Sequence, residues 1–412
     1  MRRDGTQAAT AWAATRARAL PWTRIGRRSA AAGGAWRALW VSRAIVWAAG
    51  ATAFALWGLS PRAGAFDPGA VTLPFGAAGD TVVAPLARWD SVWYLAIAND
   101  GYPPDDPRRA AFFPLYPLLV RGASVIVGEP IVAGVLVSLA CFAAALVLLH
   151  RLTALELGAP AARMAVWALA LFPGAVFFSM VYSEALFLAL SVGAVYAART
   201  GRWAWAGAAG ALAASTRSAG VVLLVPLALL WLWPPGGATR RLRDGAWLAL
   251  VPAGLIAFCV ALALGGGDAL APMHAQDTWF RTFAGPFLGT WDGASAAWRG
   301  LHDLGDPAAR HDVMLLGFLV AAIPAVVGVL RRLPTAYGAY VLSALALPLS
   351  YPVGPQPLMS LPRFLAVLFP LFMWLGAWLA AGGRARRAAV LLPSAAGLAL
   401  ATGVVATWHW FA

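Results

Sequence analysis

The sequence contains no lysine. Its net charge of +14 comes from 31 arginines against 17 acids, and charged residues make up only 12% of the chain. So little charge beside 61% hydrophobic residues excludes an ordinary soluble domain, which could not cover that much apolar surface. Nucleic-acid binding is not indicated, because much of the arginine excess lies in tails and in short breaks between apolar runs, and no zinc-finger, RNP or helix-turn-helix spacing occurs. Cysteine is nearly absent: Cys141 and Cys259 lie inside apolar segments and read as small buried residues rather than as a disulfide. There is no GxxxxGK[ST] loop, no GxSxG elbow and no HExxH helix. The paired acids lack HxH or DxD spacing, so no metal site is assigned, no cofactor is firmly implied, and a divalent-cation requirement stays open.

What the chain does have is apolar runs near membrane-spanning length, at roughly 39–58, 131–149, 164–180, 185–198, 203–216, 220–233, 245–264, 313–330, 334–349, 361–380 and 388–407. Several fall short of about 20 residues, which predicts tilted or broken helices. The expected fold is therefore all-α and polytopic, with about eleven transmembrane helices. Residues 1–38 form a basic cytoplasmic tail ahead of a signal-anchor span, and 39–412 form one integral membrane domain with outer loops at 60–110 and 265–312.

Charge sets the orientation. With the N-terminus inside, eleven crossings place the breaks at 151–163, 199–202, 240–243, 331–332 and 384–387 all inside, as the positive-inside rule requires. A twelfth crossing at 111–127 would put all five outside. That apolar segment, with Pro114 and Pro117 among Phe112, Phe113 and Tyr116, is read instead as a kinked helix in the outer interface.

Polar groups then gather on the outer face. The stretch from Arg88 to Leu119 holds four acids, three arginines and seven aromatic rings. Asp90 stands between Trp89 and Trp93, where bulky rings can partly desolvate a carboxylate and make it a better proton acceptor. It is either that or a solvated loop acid. Glu184 and Arg217 either pair structurally or line one polar pocket. Arg363 either snorkels from a helix start or meets a lipid phosphate. Asp105 and Asp106 lie among prolines, placed to orient a polar acceptor or to cap turns.

The blocks "RWDSVWYLAIANDGY", "AAFFPLYPLL", "FPGAVFFSMVYSEALFLALS", "TRSAG", "HAQDTWFR" and "SLPRFLAVLFP" occur in that order. Together they resemble the glycosylphosphatidylinositol mannosyltransferase II family and its prokaryotic relatives, multi-spanning glycosyltransferases of the GT-C class. The resemblance implies a GT-C-like helical bundle that transfers a sugar, normally mannose, with inversion, from a polyprenyl-phosphate carrier to a lipid-linked or glycan acceptor. It makes Asp90 the general base. Tyr182, Glu184, Arg217, Gln276 and Arg363 become the donor side, and Trp89, Tyr102, Asp105, Asp106, Tyr116 and Trp279 the acceptor side. Two positions depart from the family pattern: Ala219 stands where Asn is expected, and "GYPPDD" replaces a glutamate after "GY", so Asp105 or Asp106 takes that place. The implied setting is a bacterial cell membrane with the active site on the extracytoplasmic face, membrane lipids as partners and no nucleic acid. A transporter or flippase for polyprenyl-linked sugars is the competing reading. It would need corresponding broken helices in two halves, and no half-repeat is evident.

Overall fold

The computed structural model describes residues 21–61, 63–234, 239 and 241–412, with side chains from residue 33 onward in the first helix. It is helical, with no strand among the described residues beyond isolated bridges of Val353 to Arg281 and Gln356. Helix α1 (Pro21–Trp57) begins well before residue 39, so 21–38 continue the first span's helix, while residues 1–20 of the expected tail lie outside the described part. The segment that follows leads into α2 (Ser91–Asp100) and α3 (Leu115–Val127). The bundle is then built from α4 (Pro130–Leu157), α5 (Ala159–Ala170), α6 (Glu184–Arg199), α7 (Trp203–Ala214), α8 (Leu224–Leu232), α9 (Leu250–Leu264), α10 (Pro307–Arg332) and α11 (Thr335–Ser350). It closes with α12 (Leu361–Val367), α13 (Phe369–Ala380) and α14 (Arg384–Ala406).

Among the described residues, five helical stretches, Gly33–Trp57, Pro130–Leu157, Leu242–Leu264, Pro307–Arg332 and Arg384–Ala406, are long and apolar enough to cross a membrane, and α12 with α13 makes a sixth if that bent pair is one span. The protein is thus a multi-pass membrane protein. The other expected runs form shorter helices, and in two runs proline marks the break. Around Pro173 the 164–180 run breaks into α5 and a 3-10 turn, Pro173–Phe178. The run at 361–380 bends by 72° just ahead of Pro370. In α3, by contrast, Pro117 sits in the first turn and Pro114 at the N-cap, where a missing N–H costs nothing, so the expected kink does not form.

Helix α3 does not run to the far end of the bundle. The Tyr116 hydroxyl donates to the Gly134 carbonyl at 3.0 Å, and Ser138 donates to Met180 O at 2.7 Å, so α4 comes back past the start of α3 and only then runs on to Leu157. At the far end Glu156 pairs with Arg199 and accepts from the Tyr337 hydroxyl, which brings together the ends of α4 and α6 and the start of α11. Helices α7 and α9 run side by side from that end. Gly254 is required there, since a Cβ would lie 1.9 Å from the Ala211 carbonyl oxygen. Gly376 on α13 meets Ala161 and Ala165 of α5, which puts Arg384 and its neighbours at that end as well. The basic breaks therefore share one end of the bundle, apart from Arg240, which is outside the described residues. Asp90, Glu184 and Arg363 occupy the opposite end.

One buried arginine holds this frame without any acid. Arg43, in the middle of α1, donates to Ala175 O at 2.9 Å and Ser179 Oγ at 2.6 Å and reaches Ala170 O at 3.4 Å, with its guanidinium 4.8 Å from the Phe142 ring centroid. It satisfies carbonyls freed where α5 ends and the 3-10 turn begins.

Candidate active site

Asp90 is positioned by its neighbours on both sides. Arg88 is fully buried and ties the segment to the end of α14, donating to Ala406 O at 3.1 Å and to Thr72 Oγ1 at 3.0 Å. Trp89 takes a left-handed backbone, φ 56°, a conformation that costs a bulky residue on the order of 1–3 kcal/mol. Its ring is gripped by Phe66, Trp410 and Trp408 at centroid distances of 4.6, 5.1 and 5.4 Å, which offsets that strain. The chain then turns into α2 with Asp90 at its N-cap.

Asp90 Oδ2 accepts from Arg363 Nη1 at 2.7 Å, and the Asp90 N–H donates to the Tyr182 hydroxyl at 3.1 Å. Glu184, in the first turn of α6 and 0% exposed, accepts at Oε1 from Arg217 Nη1 at 2.5 Å and from Arg363 Nε and Nη2 at 2.9 and 2.6 Å. The positive end of α6 adds to the stabilisation of this carboxylate. Glu184 Oε2 is buried with no partner among the described residues. Arg363 is 6% exposed and also lies against rings, 4.8 Å from Tyr182, 5.2 Å from Phe177 and 5.9 Å from Trp410. Such a cation is not a snorkelling one. Three of its N–H groups go to two carboxylates, leaving little of the fork for a lipid phosphate.

The cluster is reached from four chain segments. Gly174 makes one approach possible, since a Cβ there would fall 2.6 Å from the Pro362 carbonyl just before Arg363. Ser360, φ 72°, turns the chain into α12. Tyr94, one turn after Asp90, shares a hydrogen bond of 2.7 Å with Ser183 Oγ. Around the mouth stands an aromatic wall: Trp93 stacks on Phe112 at 5.7 Å and meets Trp279 edge-on at 5.7 Å, and the Trp279 indole N–H is buried without a partner among the described residues.

The structure thus brings Asp90, Tyr182, Glu184, Arg217 and Arg363 together, with Trp89 and Trp279 at the rim. Other expected residues stand apart. Gln276 reaches the carbonyl of Pro272 in its own short helix. Tyr116 is fully buried, its hydroxyl engaged by Gly134 and Ser138, and it presents nothing to a substrate in this structure. The Tyr102 hydroxyl donates to Phe112 O at 2.6 Å, and burial pushes its pKa well up. Asp106 is clamped by Arg108 and Arg109 at 2.7 and 3.3 Å; desolvation alone would raise its pKa, but the two guanidiniums outweigh it and hold the carboxyl below its ordinary range. Asp105 is exposed.

Sequence reasoning left two groups out. Trp410 comes from the chain's last residues, and nothing in its local sequence points to the site. Arg281 had a signal: it is one of the charged groups of the 265–312 loop and ends the "HAQDTWFR" block. Among the described residues, no three His, Cys, Asp or Glu side chains form a metal-binding group.

Residues 76–229 match the family model described as Mannosyltransferase (PIG-V). Among curated proteins, the GPI alpha-1,6-mannosyltransferase 2 of Mus musculus is 36% identical over 167 residues, covering 37% of this chain and 33% of that protein. Its counterpart from Cricetulus griseus is 38% identical over 154 residues, covering 33% and 30%. The matched part thus spans about a third of the length of these relatives. Among solved structures, the apo oligosaccharyltransferase of Archaeoglobus fulgidus aligns with a TM-score of 0.47 and 11% identity, over 90% of this chain and 56% of that one. Through residues 76–229, the segment that supplies Asp90, Tyr182, Glu184 and Arg217, the chain is similar to the Mannosyltransferase (PIG-V) family, in line with the resemblance read from the motifs.

Proposed function

We propose that the protein is an inverting mannosyltransferase that moves mannose from a polyprenyl-phosphate carrier to a lipid-linked or cell-envelope acceptor. The observation that carries the reading is Asp90: one carboxylate oxygen is fixed by Arg363, and the other has no partner among the described residues, at a rim lined by tryptophans within the family-matched segment. A base needs a fixed direction and a free lone pair, and this arrangement supplies both. The acceptor hydroxyl oxygen bonds to C1 of the sugar from the face opposite the phosphate while its proton passes to Asp90 Oδ1. The C1–O bond to the phosphate breaks, and the electron pair leaves on the phosphate. Positive charge near that oxygen lowers the barrier, so no nucleotide-binding fold is needed.

Collection of the basic breaks at the opposite end supports an active site on the extracytoplasmic face, with that end cytoplasmic. Arg363 serves as a positioning residue for Asp90, and the Trp93–Phe112–Trp279 wall suits the apolar face of a sugar or the first isoprene units of a carrier. The reading is tested with purified protein in liposomes, supplied with a panel of polyprenyl-phosphate sugars and native lipid extract. Mass spectrometry should find a hexose-bearing lipid with wild type and none with Asp90→Asn. Equal products from both would overturn it.

A further inference from the structure

The cluster's charges show where an anion is still wanted. Asp90 and Glu184 balance Arg363 and Arg217, so these four groups are neutral together. Arg281 adds a positive charge that no carboxylate cancels: its only side-chain hydrogen bond among the described residues is from Nη1 to the Tyr351 carbonyl, at 3.0 Å. Its guanidinium carbon lies 5.7 Å from the centroid of the Phe364 ring, and that of Arg217 lies 6.0 Å from the same ring. Phe364 follows Arg363 directly and is half-buried.

The two arginines have N–H groups to spare. Arg217 commits only Nη1, to Glu184, leaving Nε and Nη2 without partners among the described residues. Arg281 commits only Nη1. Arg363, which sequence alone placed on the phosphate, is largely spent on Asp90 and Glu184. Arg281 is also held rather than loose. Its backbone pairs with Val353, and Gly354 N–H donates to Phe280 O at 3.0 Å, so the outer-loop strap is docked onto the turn that leads into α12. Burial, with the like charges of Arg363 and Arg217 and a partial offset from Asp90, pulls Arg281 down to about 10, which leaves it charged at neutral pH and short of a counter-ion.

Resting on the proposed function, we infer that Arg281 and Arg217, set about the Phe364 ring, bind the phosphate of the polyprenyl carrier, and that Arg363 does not. Each guanidinium offers charge-assisted hydrogen bonds to phosphate oxygens, and Arg217 is aimed by Glu184. The net single positive charge suits a phosphodiester monoanion, and it also suits the phosphate that departs.

The test is equilibrium binding of radiolabelled decaprenyl monophosphate to the full chain in nanodiscs, with uncharged decaprenol as control. Arg281→Gln should weaken decaprenyl monophosphate binding by roughly ten- to a hundredfold, the loss of a charge-assisted contact. Arg281→Lys should recover part of it, and decaprenol binding should not change. Arg202→Gln, at the opposite end of the bundle, should behave as wild type. Wild-type binding undiminished in Arg281→Gln, with the variant folded by size-exclusion and thermal melting, overturns this assignment and leaves the transferase reading intact. Absence of any decaprenyl monophosphate binding by wild type overturns both.

Discussion

Glu184→Gln isolates what holds the site together. Glu184 Oε1 is the acceptor for three N–H groups from two arginines in a fully buried place. The substitution keeps the volume and removes one negative charge, so the four-group cluster passes from neutral to +1, and to +2 with Arg281 counted. At an effective dielectric near 20, a unit pair at about 4 Å is worth about 4 kcal/mol, so two arginines lose on the order of 8 kcal/mol of attraction. Much of that is returned, because a neutral amide has no charge to desolvate and still offers one acceptor. The remainder falls in the range of about 3–5 kcal/mol seen when one partner is removed from a buried ion pair. For a chain of this size that means a melting temperature lower by about 3–6 °C. The assay is thermal unfolding in detergent, followed by tryptophan fluorescence and size-exclusion recovery. A double variant, Glu184→Gln with Arg217→Gln, restores neutrality and should recover at least half of the loss. If Glu184→Gln melts with wild type, or if the double variant is less stable than the single one, Glu184 is not the electrostatic hub of the site.

Asp90→Asn should leave binding of the polyprenyl-phosphate donor near wild type and lower turnover by roughly 10²–10⁴, checked by single-turnover transfer on protein of confirmed fold. Gly174→Ala should cost about 1–3 kcal/mol through the clash with the Pro362 carbonyl and reduce turnover by displacing Arg363, read as paired melting and transfer assays. Because the folded pKa of Asp106 is depressed, its pairs with Arg108 and Arg109 persist at neutral pH and are lost only as pH falls below the ordinary carboxylate range of about 3.9. Asp106→Asn should therefore loosen the 103–111 turn already at pH 7, by less than about 1 kcal/mol for so accessible a pair, seen as faster tryptic cleavage after Arg108.

The helical, multi-spanning character was legible because apolar runs and arginine breaks are local signals, and the collection of basic breaks at one end follows from the same pattern. The broken helices were legible only in outline: short runs predicted them, but the 72° bend before Pro370 depends on where α13 must pack against α5. In the site, Glu184 and Arg217 were found because each is an uncommon charge in an apolar neighbourhood, and Asp90 because it stands between Trp89 and Trp93 in a block that resembles the family's. Arg363 was found for the same reason as Glu184 and Arg217, but its pairing was not legible, since its two acids lie 179 and 273 residues away in sequence. Tyr116 misled through its aromatic company; its hydroxyl is satisfied inside the α3–α4 hairpin, a contact no spacing rule foretells.

That long-range pairing explains why the charges can exist there at all. An unpaired guanidinium or carboxylate at membrane depth is expensive, and each added acid or base must be matched by a group from another segment. The protein meets this with α2, α6, the stretch after α7, and α12, each contributing one member of a neutral set. The two left-handed residues Trp89 and Ser360 aim Asp90 and Arg363 into it. Neutrality then frees Arg281 to act on the substrate, because a fifth charge added to a balanced four is the only one whose field is not already cancelled. A site assembled in this way should tolerate loss of an outlying acid such as Asp105 far better than loss of any member of the set, since only the latter leaves a buried charge without its counterpart.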